Sequence, residues 1–381
     1  MKKKKDKSRN RSKRLTEKSK HKKAKQALKK LQKDKALKKL CLPEVAKQLF
    51  NPVVGDTNLS QDFKSLLLAG YKPAVAMMEK CFDEYEDKDG NFIEQFQTTG
   101  FDARTWELYL NTYFLKSGFE ISSAHSSPDY ILSKDGKTVC VEAVTTNRSL
   151  SGKLENVKNY NSIKEHYDFT AIKMGSSLWS KHQKEYWNLG QVSDQPLVFA
   201  IECFHQKGPF YSGDAPLIDY LYGKNFSWFF DEENNLVIKE HENTTHIIGE
   251  KEIPSGFFNL PASDNISAVL FSNSGTAAKF NRMGKIKWPK CNIQMIREGM
   301  SYKHDPNSDT PDYFKYEVGS ERPKEQWGEG LIMFHNPNAK HKVDKSLFPD
   351  IPHGDYENDK FVVENMPDFH PIWSITKIRV G

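Results

Sequence analysis

Two carboxylates stand out by their setting. Asp129 follows Pro128 at the start of an apolar segment, and Glu142 lies twelve intervening residues later. Val139, Val141, Ala143 and Val144 surround Glu142. Such a strand is buried on both faces, and an unpaired carboxylate inside it is costly. A metal ion, an arginine or the sheet edge must satisfy Glu142, whereas an Asp at a strand start after a turn is ordinary. Two carboxylates on neighbouring strands can share one cation, and Mg²⁺ asks for a few carboxylates while keeping several waters. An ion so held activates water and stabilises charge on phosphoryl oxygens, which is what phosphodiester hydrolysis needs.

The elements that must position these acids can be read from pattern. Residues 101–116 carry apolar side chains at 106, 109, 110, 113 and 114, the spacing of an amphipathic helix. Asp102 is a candidate N-cap, and Gly118 stands where a left-handed cap is expected. Short strands follow at 119–122 and 129–132, then an Asp-Gly turn at 134–137 and a central strand at 138–145. A helix is expected from about Ser177 to Asn188, with Gly190 past its end. The run Pro196 to Cys203 reads as a buried strand parallel to 138–145, joined to it by a crossover.

Helix, three strands, helix and strand, with Pro128-Asp129 and Glu142 placed on them, resemble the PD-(D/E)XK nuclease superfamily, the restriction-endonuclease-like fold. The resemblance covers about 100 of the 381 residues. It implies an α/β fold with a mixed sheet flanked by helices, and a Mg²⁺- or Mn²⁺-dependent endonuclease. Asp129, Glu142 and the Ala143 carbonyl would be the metal ligands, with Glu107 of the first helix in support. The family places a lysine two residues after the Glu, and here that residue is Val144. Relatives of this kind supply the lysine from elsewhere, for which Lys153, Lys173 and Lys181 are the candidates. The other reading is that the chemistry has been lost, leaving a non-catalytic nucleic-acid-binding protein on a degenerate nuclease fold.

Charge organisation points to the same partner. Residues 1–40 hold 20 of the 56 Lys and Arg but three of the 50 Asp and Glu, so this arm is +17 and residues 41–381 are −11. Dense block charge of this kind binds phosphates without reading sequence; DNA is favoured over RNA as the partner, as the resemblance implies. From Ala24 the arm takes on a basic amphipathic helical pattern. It lacks Trp and Phe to insert into a membrane. An adaptor role for the arm, on ribosomes or an acidic protein, is a third reading.

The expected organisation is an arm at 1–40, a helical segment at 41–98, the nuclease-like core at 99–210, and a β-rich extension at 211–381, possibly within the same domain. In the helical segment, Leu66, Leu67, Leu68, Val75, Met77 and Met78 are the expected core, with breaks at Gly70 and Pro73. The acidic stretch Asp83 to Gly90 is a turn. Aligned on Gly90 it would put Tyr85 and Phe96 at calcium-ligand positions, so it is no EF-hand. In the second half, a hairpin is expected over 226–239 and a main-sheet strand over 265–271. The turn 272–283 would offer Lys279 and Arg282 to phosphate or to solvent. Residues 302–371 read as loop-rich, with strands at 361–363 and 375–380.

Five widely spaced cysteines, an odd number with no Cys-x-x-Cys pair, suit a reduced cytoplasmic protein. No secretory signal and no apolar run long enough to span a bilayer is expected. His335 and His341 have no common zinc spacing, and a cage with Cys203 and His205 is disfavoured. Trp179, Trp187 and Trp228 are taken as core rather than base-stacking residues.

Overall fold

The computed structural model describes residues 25, 29, 41–43, 48–146, 163–204, 213–320, 325–358 and 360–381. Of the basic arm, Lys25 and Lys29 are described, both helical and exposed. The rest of the expectation for residues 1–40 lies outside the described residues.

Helix α1 (Gln61–Leu66) starts at Ser60, whose hydroxyl accepts from the Phe63 N–H at 3.1 Å. Helix α2 (Lys72–Phe82) carries Pro73 in its first turn, where a missing N–H is harmless. Pro73 therefore opens a helix rather than breaking one. Leu66, Met77 and Met78 are buried, but Leu67 and Leu68, expected in the core, are 47% and 61% exposed in the connection that follows α1. Helix α3 (Phe92–Gln97) leads to α4 (Phe101–Lys116), which fills the residues whose periodicity predicts it. Its N-cap is Gly100; Asp102 sits in the first turn instead, where its charge complements the helix dipole. Leu108, Leu110 and Phe114 on α4 are fully buried, worth roughly 1.5–3 kcal/mol each. Gly118 does take the left-handed conformation, with φ +84°.

The strands β1 (Glu120–Ile121), β2 (Tyr130–Lys134) and β3 (Lys137–Thr146) form an antiparallel meander. Asp135 and Gly136 turn between β2 and β3 with φ of 52° and 73°, the pair of positive values that a tight hairpin needs. Helix α5 (Ile163–His182) then crosses to β4 (Leu197–Cys203), which pairs parallel with β3. The helix predicted at 177–188 is thus misplaced. It ends at His182, Glu185 turns left-handed at φ 49°, and Tyr186–Asn188 is a separate 3-10 turn. The cause is burial on more than one side: His166, Asp168 and Thr170 are buried along with Ala171 and Met174, so the polar and apolar period is blurred.

The second half adds α6 (Ala215–Tyr222), the hairpin β5 (Lys224–Phe230) with β6 (Leu236–Glu242), and the hairpin β7 (Thr245–Ile248) with β8 (Lys251–Pro254). Then come β9 (Ala268–Ser272), α7 (Ala277–Lys287), β10 (Ile293–Ser301), β11 (Asp312–Glu317) and β12 (Leu331–His335). The described chain closes with β13 (His353–Glu357), β14 (Lys360–Glu364) and β15 (Pro371–Val380). The main sheet is mixed, with eight strands in the order β1-β2-β3-β4-β9-β12-β13-β14, so it draws on both sides of residue 210. A smaller sheet runs β11-β10-β15.

Alternation along the central strands splits the core in two. Val141, Ala143, Val198, Ala200 and Leu270 face α2, α3 and α4, while Cys140, Val144, Phe199, Ile201 and Phe271 face α5 and α6. Glu142 shares the parity of Cys140 and Val144, so it belongs to the α5 side. Gly284 on α7 lies flush on α2, where a Cβ would come within 2.2 Å of the Pro73 carbonyl oxygen.

Other expectations are corrected. Residues 272–283 do not form a phosphate-ready turn: α7 begins at Ala277, and Lys279 and Arg282 are buried at 0% and 3% exposure against Glu325. Trp179 and Trp228 are exposed rather than core. Strands β11, β12 and β13 occupy the stretch expected to be loop-rich. His335, for which no zinc pairing with His341 is expected, meets His353 at 2.9 Å, and His205 lies outside the described residues. Among the described residues no helix is long and apolar enough to cross a membrane.

Candidate active site

The hairpin places Asp129 at the mouth of β2, one pair beyond the Tyr130–Val141 register, beside Glu142 on β3. The two are tied through backbone. The Ala143 N–H donates to Asp129 Oδ2 at 2.7 Å, and the Asp129 N–H donates to Glu142 Oε2 at 3.3 Å. Glu142 is buried, and its other oxygen is the hub of a short network. Lys181 near the end of α5 donates to Oε1 at 2.6 Å, and the Tyr186 hydroxyl donates to the same atom at 2.5 Å. A lysine and a tyrosine, rather than an arginine or a sheet edge, answer the burial of Glu142.

Lys181 and Val144 are on the same side of the sheet. Val144 points its side chain toward α5, and α5 returns an ammonium to the neighbouring carboxylate. Of the three candidate lysines, Lys181 is thus at Glu142. Lys173 lines the same cleft two turns earlier on α5, and Lys153 lies outside the described residues.

Glu107 on α4 faces the cleft from the opposite side of Asp129. Arg104, one turn earlier, donates to it at 2.5 Å and is itself held by Gln95 and Asn91. The Tyr85 hydroxyl approaches Glu107 at 3.4 Å, and the Tyr130 hydroxyl donates to its backbone carbonyl at 2.7 Å. Two cavities, of about 170 and 440 Å³, meet at Glu107 and Asp129.

Electrostatics mark Asp129. Burial first, then the charges of Glu142 and Glu107, push its carboxyl up to about 7, against the pull of Lys181 and the Ala143 N–H. Burial also raises Glu107, with Arg104 opposing. The folded chain therefore favours protonated Asp129: this stabilisation is present below the carboxyl's unfolded value and is lost as pH rises through about 7. A cation beside Asp129 would replace that proton. Glu107→Gln removes one of the repelling charges, so the Asp129 titration is expected to move to lower pH. Carboxyl NMR across pH 4–9 checks this, and an unmoved midpoint would separate the two groups.

The donors fit a hard cation. They are carboxylate and carbonyl oxygens, without His or Cys, as Mg²⁺ and Mn²⁺ prefer. Among the described residues no cluster of three His, Cys, Asp or Glu could hold a metal. Two acids, Asp129 and Glu142, are brought together here; the Ala143 carbonyl is a third ligand only as the resemblance implies.

Sequence reasoning missed Arg104, Tyr186 and Lys251, the last of which also lines the larger cavity. Arg104 was findable, since three residues along a helix put it next to Glu107. Tyr186 and Lys251 arrive from distant chain with no local pattern. No family model, curated protein or solved structure matches this chain.

Proposed function

We propose that the chain is a metal-dependent nuclease, hydrolysing phosphodiester bonds of DNA in preference to RNA, on a restriction-endonuclease-like core. The observation that carries this reading is the Lys181–Glu142 pair at 2.6 Å, which brings a lysine from α5 to the strand whose own position, Val144, is apolar. A divalent cation at Asp129 and Glu142 would supply Lewis-acid polarisation of the phosphate and an activated water. The protein's own parts have separate tasks. The Ala143 N–H fixes Asp129, and Tyr186 and Lys181 fix Glu142. Lys181, one-quarter exposed, is placed to orient a water or steady phosphoryl charge. Arg104 pairs with Glu107 next to Asp129 and opposes the effect of its burial. The +17 arm supplies affinity for the polyanion that the −11 remainder lacks.

One observation favours the second reading, a nucleic-acid binder without hydrolysis: Lys181 and Tyr186 already satisfy Glu142 without a metal. Lys181→Met separates the two. If Lys181 assists the water, cleavage of plasmid, single-stranded DNA and RNA in Mg²⁺ or Mn²⁺ falls about 10²–10⁴-fold, the range of a positioned proton-transfer group. Under the binder reading the wild type cuts none of these.

A further inference from the structure

The two cavities that meet at Glu107 and Asp129 differ in charge: the smaller is strongly acidic and the larger is not. The smaller is walled by Glu84, Glu86, Asp87 and Asp89, and its two bases are committed: Lys88 to the carbonyls of Ser122 and His125, Arg104 to Glu107. Among the described residues the larger has no acid in its lining besides the shared Glu107 and Asp129, and of its three lysines Lys181 is paired with Glu142. Its α5 wall presents Lys173, Ser176, Ser177, Ser180 and Lys181, at spacings of three and four that put all five on one helix face. Lys251, from the start of β8, reaches the middle of this face and donates to Ser176 Oγ at 2.9 Å.

From Lys173 to Lys181 the face is about 12 Å long at 1.5 Å per residue. A nucleic-acid strand carries a charge about every 3.4 Å of axis, so the face spans about three phosphates. Ammonium and hydroxyl donors in a row are what such a run of phosphates takes, while the acidic wall beyond Asp129 repels a continuing polyanion.

Resting on the nuclease reading above, we infer that the α5 face with Lys251 is a one-sided phosphate track. It receives a polynucleotide strand on a single flank of Glu142, so that the strand finishes near the carboxylates and the preferred substrate has a free end.

The test compares the full-length wild type with Lys173→Gln/Lys251→Gln and, separately, with Ser180→Asp, an exposed position where a charge is tolerated by the fold. Binding of a fluorescent single-stranded oligonucleotide is followed from 50 to 200 mM salt without added metal. The arm contributes equally in all three proteins, so the difference reports the track. Loss of two phosphate contacts lowers the slope of log affinity against log salt by about 1.4, and Ser180→Asp weakens binding about tenfold at 50 mM. An unchanged slope and affinity in both variants would overturn the track. In Mg²⁺ or Mn²⁺, linear strands are expected to be cut at least about tenfold faster than covalently closed circles of the same sequence, and equal rates would overturn the end preference. A reduced slope in a protein that cuts nothing would uphold the track while removing the hydrolysis, so the two readings fail separately.

Discussion

Glu142→Gln is expected to abolish metal-dependent cleavage, by about 10³-fold or more, while the chain stays folded. The size follows from the several kcal/mol that a bound cation contributes to charge stabilisation, at 1.36 kcal/mol per decade. Gln keeps the volume and one acceptor for Tyr186 and Lys181, which now hold Oε1 at 2.5 and 2.6 Å. It loses the charge that binds a cation. Removing that charge also relieves Asp129, whose carboxyl no longer feels its nearest repulsion and titrates at lower pH. Single-turnover cleavage together with a thermal melt checks the expectation. Cleavage at the wild-type rate would exclude Glu142 from the chemistry.

Glu325→Ala is expected to be the most destabilising single change in the second half. Glu325 accepts from Lys279 at 3.0 Å and from Arg282 through both oxygens at 2.8 Å, and Arg297 approaches at 3.7 Å. All three cations are at most 3% exposed. Arg297 also pairs with Glu329, and its guanidinium lies 5.7 and 6.0 Å from the ring centroids of Phe314 and Phe369. Cutting out the shared carboxylate leaves buried cations uncompensated, which costs about 3–5 kcal/mol. At about 2–4 °C per kcal/mol for a chain of this size, the melting temperature should fall by roughly 6–20 °C. Glu298→Ala is the control, because its partners Lys315 and Lys377 stand in solvent, and it should leave the melt almost unmoved. Similar shifts for both would mean that the Glu325 network contributes no more than surface pairing.

The same network shows where sequence ran out. Lys279 and Arg282 follow a run of small and hydroxyl residues that looks like an anion-binding turn, and nothing local announces that Glu325 will close over them. Local signals did serve for α4, for the Asp135-Gly136 turn and for β3 beside β4, because each is written in contiguous residues. Leu67 and Leu68 misled for the opposite reason: the segment is apolar, yet tertiary packing takes up Leu66 and leaves the next two outside. In the site, Asp129 and Glu142 were legible because a hairpin fixes their register. Lys181 was one of three, since its reach to Glu142 depends on where α5 lies, and α5 begins well before the expected helix at 177–188 and overlaps only its first residues. The main sheet was legible through β9, expected as one of its strands, and least so at β12 and β13, which join it across large separations in the chain.

The most direct test of the central claim, that Asp129 and Glu142 form a divalent-cation site, is calorimetric titration of the full chain with Mn²⁺ at pH 7 in buffers of different ionisation enthalpy. With the Asp129 carboxyl pushed up to about 7, binding should occur at one site and release about half a proton. Asp129→Asn should eliminate both the binding and the release. No binding by the wild type, or binding that persists unchanged in Asp129→Asn, would contradict the account.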